Sequence, residues 1–153
     1  MSKAEINDLL TFLEPFPESV RETALWLREF VWDLFPDSNE LIYDNYNALA
    51  IGFSPSDRAG DAFCHIAVYS KHVNFGFNRG SELADPEKRL TGSGSLVRHL
   101  RVDDKSDFPR AYVKKLLKQA EKSSKARLNE KKPQIKGATI VKSISPVKRR
   151  PQT

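Results

Sequence analysis

One cysteine, Cys64, stands in a chain of 153 residues. That scarcity excludes an internal disulfide and any zinc site built on a thiolate cluster. No apolar run approaches the ~18 residues that a membrane-crossing helix needs. The opening residues, MSKAEINDLL, put acids where a secretory leader has a basic start and an apolar stretch, so the expected location is the cytoplasm. Catalytic signatures are missing as well: there is no nucleophile elbow, no HExxH and no paired-acid motif. Cys64 and His65 are adjacent, and neighbours on a strand face opposite ways, so they form no dyad. Internal repeats and low-complexity tracts are also absent.

What is present suits one α+β domain. Apolar residues make up 39% and charged residues 29%, the balance of a globular chain. The net charge of +5 is unevenly spread. From Glu121 to Thr153 there are ten bases against two acids, giving +8, while residues 1–120 carry 15 bases and 18 acids, giving −3. The same 33 residues hold eight apolar side chains and no aromatic one. We therefore read a domain over residues 1–122 and a basic tail over 123–153, with a linker at Asn129 to Pro133. Within the tail, the β-branched run Ala138–Ile144 has the composition of an added edge strand that Pro146 would end.

Periodicity places the elements. Ile6, Leu9, Leu10 and Leu13 are spaced for a short helix over residues 4–13, broken by Pro15 and Pro17. Ser19 and Glu22 have capping-box spacing and predict a second helix reaching about Phe35. On it Val20, Ala24, Leu27, Val31 and Leu34 fall within about 80° of one another, and Glu18, Glu22, Glu29 and Asp33 within about 60° on the other side. Strands are predicted over 40–43, 48–53, 62–69, 72–77 and 96–102, with a last helix from Arg110 to about Lys125. Alternation puts Phe63, His65, Ala67 and Tyr69 on one face of their strand and Cys64, Ile66 and Val68 on the other, and sets His72, Asn74 and Gly76 opposite Val73, Phe75 and Phe77. Short connections favour an antiparallel sheet of about five strands packed against N-terminal and C-terminal helices.

Four stretches, Leu41–Leu49, His72–Phe77, Gly80–Pro86 and Leu90–Gly94 with Arg98 and His99, together resemble the bacterial YdhG-like family, a domain of unknown function. The resemblance spans roughly residues 20–122. It implies an α+β fold with a small antiparallel sheet, and one branch of the family is described as frataxin-like intracellular iron chaperones. Many relatives carry Lys after the glycine stretch, where this chain has Ser95.

Five groups of residues are candidates for function. The acids Glu18, Glu22, Glu29 and Asp33 share a helix face and offer the oxygen ligands that hard cations prefer, so iron or another metal is the named expectation. Asp37, Glu40 and Asp44 would extend that surface. The same pattern also describes an ordinary solvated helix face. His65, His72 and His99 lie on three strands, with neither HxH nor HxxxH spacing, so each is read as a hydrogen-bonded sheet residue unless two or three converge. Gly92, Ser93 and Gly94 with Arg79, Arg98 and His99 could cradle a small anion, although no nucleotide fingerprint is present and a turn explains the glycines equally well. Tyr43, Asp44, Tyr46 and Asn47 could line a small-ligand pocket or simply build a hairpin turn. Finally, the tail and the Lys114–Lys118–Lys122–Lys125 face of the last helix could contact nucleic acid or another polyanion without base stacking. The expected function is a non-enzymatic binding module, first for metal through the acidic face. The alternatives are polyanion docking through the tail, a small anion at Gly92–His99, or an enzyme joining that loop to the Tyr43–Asn47 turn.

Overall fold

A computed structural model describes residues 7–128 and 135–147. Two helices come first, α1 (Asn7–Leu13) and α2 (Glu18–Leu34). The strands β1 (Asn39–Asp44), β2 (Leu49–Ser54), β3 (Cys64–Val68), β4 (Val73–Phe77) and β5 (Arg98–Val102) follow, then α3 (Arg110–Arg127) and β6 (Thr139–Ile144). Residues 4–6 of the expected first helix, the linker from Asn129 to Pro133, and the tail bases Lys131, Lys132, Lys148, Arg149 and Arg150 lie outside the described residues.

Proline, not a capping box, starts α2. Pro17 occupies the position before the helix with φ −56°, and no side chain caps it. The Arg21 N–H donates to the Pro17 carbonyl at 3.0 Å. Ser19 is therefore already inside the first turn, where its carbonyl accepts the Thr23 hydroxyl at 2.9 Å.

The sheet has six strands in the order β5-β4-β3-β2-β1-β6. Neighbours from β1 to β5 are antiparallel, but β6 runs parallel to β1. The sheet is thus mixed, which corrects the antiparallel expectation. The cause lies in the helices. α2 and α3 end on the same side of the domain, where Phe35, Ser38, Leu128 and Lys136 line one cleft. Each helix hands the chain to a strand that starts from that side, β1 after α2 and β6 after α3, so the two strands point the same way. Lys142 is the extra residue of a bulge between the pairs Ile42–Val141 and Tyr43–Ser143.

One face of the sheet carries the core. Ile42, Ile51, Ile66 and Phe75 stand in one row across β1, β2, β3 and β4. They join Leu9, Leu13, Val20, Leu27, Val31, Val113, Leu116 and Leu117 from the three helices in one apolar cluster. Phe75 and Phe108 meet edge to face at 5.7 Å, and Phe108 sits edge-on to the stacked pair Trp26 and Phe30. The opposite face presents Gly52, His65, Gly76 and His99 in one row and Ala50, Ala67, Asn74 and Arg101 in the next. The buried apolar residues of all three helices belong to the cluster on the other side, which leaves this face free of helix.

Glu40 and Asp44 do not extend an acidic surface. Both are buried, and Glu40 is wholly inaccessible. The Arg28 Nε of α2 donates to Glu40 Oε2 at 2.6 Å, and a second guanidinium nitrogen donates to Oε1 at 3.2 Å. The Thr139 hydroxyl of β6 donates to the same Oε1 at 2.8 Å. The Arg28 guanidinium also lies 4.8 Å from the Trp32 ring centre, and Trp32 Nε1 donates to the Ser38 carbonyl at 2.7 Å. Asn39 completes the seam: its amide donates to the Ser56 and Ile135 carbonyls, and its Oδ1 accepts the Ala138 N–H.

Removing one member of a buried ion pair strands the other charge, at a cost of about 3–5 kcal/mol. Glu40→Ala should lower the unfolding free energy by that order in urea titrations. The double change Arg28→Met with Glu40→Leu should lose clearly less than either single change, because it leaves no buried charge alone.

Candidate functional site

The four acids of α2 are exposed but spread along the helix. Glu18 and Glu22 are one turn apart, as are Glu29 and Asp33, and about 10 Å of helix rise separates the two pairs at about 1.5 Å per residue. Among the described residues no group of three or more His, Cys, Asp or Glu side chains stands close enough to hold a metal ion. Asp33 borders Arg110 and Lys114 of α3 around a shallow hollow, so part of this face meets opposite charge.

The two halves of the ligand-binding candidate set are not brought together. The Tyr43–Asn47 turn joins β1 to β2, whereas Arg98 and His99 open β5, four strands away and at the other end of the sheet. At about 4.8 Å per strand this is about 19 Å across the sheet alone. The turn is occupied with receiving β6. Asp44 accepts the Ser145 N–H through its backbone carbonyl at 2.8 Å, and Asn45 Oδ1 accepts the Ser143 hydroxyl at 3.2 Å. Tyr46 and Asn47 are exposed, while burial raises the Tyr43 phenol above its ordinary range.

The glycine loop is held by its own arginines. Arg98 donates to the carbonyls of Gly94 at 2.6 Å and Val97 at 2.7 Å, and Arg79 pairs with Glu82 through two contacts. Both cations thus close on acceptors of the same loop. Ser93 and Gly94 are exposed at its tip, and Gly92 has φ +138°, a backbone state that favours glycine. Arg98 and His99 are consecutive on β5 and therefore face opposite sides of the sheet.

Asp85 pins the far part of this segment to α3. Its carboxylate accepts the Tyr112 hydroxyl and the N–H groups of Leu90 and Arg89. Burial pushes this carboxyl up, but those three hydrogen bonds outweigh it and hold the group below its usual range.

The histidines share the helix-free face. His65 Nδ1 lies 3.0 Å from Asn78 Oδ1. Burial chiefly, and the neighbouring His99 in the same direction, lower the His65 ring below the ordinary imidazole range, with Asn78 opposing them. His72 stacks on Tyr69 with ring centres 4.8 Å apart. Gly76, which admits the His65 ring, was legible only as an alternate residue of the strand over 72–77, and Asn78, which holds the ring, fell just outside that strand.

The largest unbalanced charge lies on α3. Arg110, Lys114, Lys115, Lys118, Lys122 and Lys125 are all exposed, and at about 100° per residue they span about 140° of the surface opposite the buried Val113, Leu117 and Ala120. The helix has one acid, Glu121, which pairs with Lys125 at 2.8 Å. Lys114, Lys115, Lys118 and Lys122 make no ion pair among the described residues. Comparison with known proteins finds no matching family model, no matching curated protein and no matching solved structure.

Because the folded Asp85 titrates below the unfolded value of about 4, its contribution is complete above that pH and fades as acid protonates the folded group. Asp85→Asn should therefore lower the melting temperature near neutral pH, and the gap to wild type should close as the pH falls below about 4. Thermal melts of both proteins across that range check this.

Proposed function

We propose that this chain is a non-enzymatic binding module that docks on phosphate-bearing polyanions through the basic face of α3. The observation that carries the reading is the line of Lys114, Lys118 and Lys122 with Lys115 beside it, all exposed and none neutralised by a described acid. From Lys114 to Lys122 the line runs about 12 Å at about 1.5 Å per residue, and duplex DNA carries one charge per about 1.7 Å of axis. Four ammonium groups at that spacing meet several phosphates at once. No aromatic stands between Lys114, Lys118 and Lys122 along their line on α3, so the contact is with the backbone and carries no sequence preference. The bases of the tail, Lys148, Arg149 and Arg150, add to the same attraction.

The test is the salt dependence of binding to a labelled DNA duplex, read by fluorescence anisotropy on the full chain. A fragment ending at residue 122 would stop inside α3 and lose β6, so it is not suitable. Four phosphate contacts give a slope of log K against log salt of about −3.6. Replacing Lys114, Lys118 and Lys122 by Gln should flatten the slope by about 2.7 and leave the melting temperature nearly unchanged. Neutralising Lys148, Arg149 and Arg150 instead measures the share of the tail. Binding insensitive to salt, or a slope untouched by the three α3 changes, would overturn the assignment to α3.

A further inference from the structure

The helix-free face of the sheet holds an arrangement unconnected with polyanion docking. His65 on β3, Gly76 on β4 and His99 on β5 are register partners in a single row. The His65 ring leaves its own strand and lies over Gly76. A Cβ placed on Gly76 would stand 2.2 Å from His65 Nε2 and 2.5 Å from Cε1, so only glycine admits the ring there. The distal edge of the imidazole is therefore already over β4, and the next position of the row belongs to His99.

The protonation of the ring follows from its partner. Asn78 Oδ1 can only accept, so His65 Nδ1 carries the hydrogen and Nε2 keeps its lone pair. A second group that fixes the Nδ1–H in this way is what orients a metal-ligating histidine. His99 is not committed elsewhere by a strong bond. Its Nε2 lies 3.4 Å from Thr91 Oγ1, long for a hydrogen bond between a hydroxyl and a ring nitrogen. With adjacent strands about 4.8 Å apart, a rotation of the His99 side chain brings the two imidazoles to either side of one ion. His72 is held apart by its stack on Tyr69. The nearest carboxylate along β5, Asp103, is paired with Arg101 at 2.7 Å.

We propose that His65 Nε2 and His99 form a two-imidazole site for a borderline divalent cation such as Zn²⁺ or Ni²⁺, with water completing its coordination. The donor set sets the class of ion. Neutral imidazole suits zinc, nickel and copper, while magnesium and calcium require oxygen ligands that this row lacks. The ligand count makes the site open and exchangeable, unlike a closed structural centre. Metal competes with protons for both nitrogens, so loading weakens as the histidines become charged.

Isothermal titration of the full chain with ZnCl₂ and with NiCl₂ tests this. The chain has three histidines and one buried cysteine, so few alternative soft donors exist. One equivalent should bind. His65→Ala and His99→Ala should each weaken binding at least tenfold, Asn78→Ala by about tenfold or more through the lost orientation of His65, and His72→Ala should leave it unchanged. MgCl₂ should give no heat. Nitrogen-15 spectra of the wild-type imidazoles provide a reading independent of any variant's folding: zinc should move His65 Nε2 and a His99 nitrogen and spare the protonated Nδ1 of His65. Binding that survives both His65→Ala and His99→Ala, binding that requires His72, or wild-type zinc spectra with no imidazole change would each overturn the site.

Discussion

The buried pair of Arg28 and Glu40 is the interaction on which the other elements depend. It joins the middle of α2 to the first strand, and through Thr139 it reaches the last strand as well. Two charges removed from water impose a desolvation cost of several kcal/mol each, which only good geometry and full hydrogen bonding can offset. The structure meets that condition with a two-point contact, a hydroxyl on the carboxylate and an indole face under the guanidinium. An apolar pair of the same volume would give comparable stability. What the ion pair adds is register: only one placement of α2 over β1 brings the guanidinium onto the carboxylate, and only one placement of β6 brings Thr139 beside it.

Around that anchor the molecule divides its chemistry by side. The helical layer holds the apolar core inward and opposite charges outward, acids on α2 and bases on α3, with Asp33 next to Arg110 and Lys114 where the two helices adjoin. A polyanion docked on α3 as proposed would be discouraged from spreading onto α2. The other side of the sheet carries little charge. Its residues are small or uncharged, apart from the paired Arg101 and Asp103, and it carries all three histidines.

Much of this was legible from the residues. The apolar stripe of α2 identified its buried face because a helix packed on a sheet needs one continuous stripe: Val20, Ala24, Leu27 and Val31 are in the core, and Leu34 packs against it partly buried. Alternation along β3 and β4 sorted Cys64, Ile66 and Val68 from His65 and Ala67 for the same reason. Glu40 was misread because a lone acid at a strand start looks solvated, and its partner Arg28 lies twelve residues away on another element. The parallel edge was invisible because strand direction there is decided by where α2 and α3 end, a property of packing. The Gly92–His99 candidate grouped residues by nearness in sequence, whereas β5 sends Arg98 and His99 to opposite faces. The histidine row could not be seen without register, since His65 and His99 meet only through the intervening β4.

The distance along the chain between Glu40 and its hydroxyl partner Thr139, 99 residues, has a consequence for how this protein is made. Synthesis runs from the N-terminus at about 5–20 residues per second, so β1 exists for at least several seconds before β6 leaves the ribosome. Through that interval β1 has an open edge and Glu40 lacks one of its hydrogen bonds. Nascent chains are therefore exposed to edge-to-edge pairing at β1 until the last strand arrives. The step that closes the sheet joins segments 99 residues apart, a non-local pairing of the kind that folds slowly and leaves an open strand edge available to other chains in the meantime.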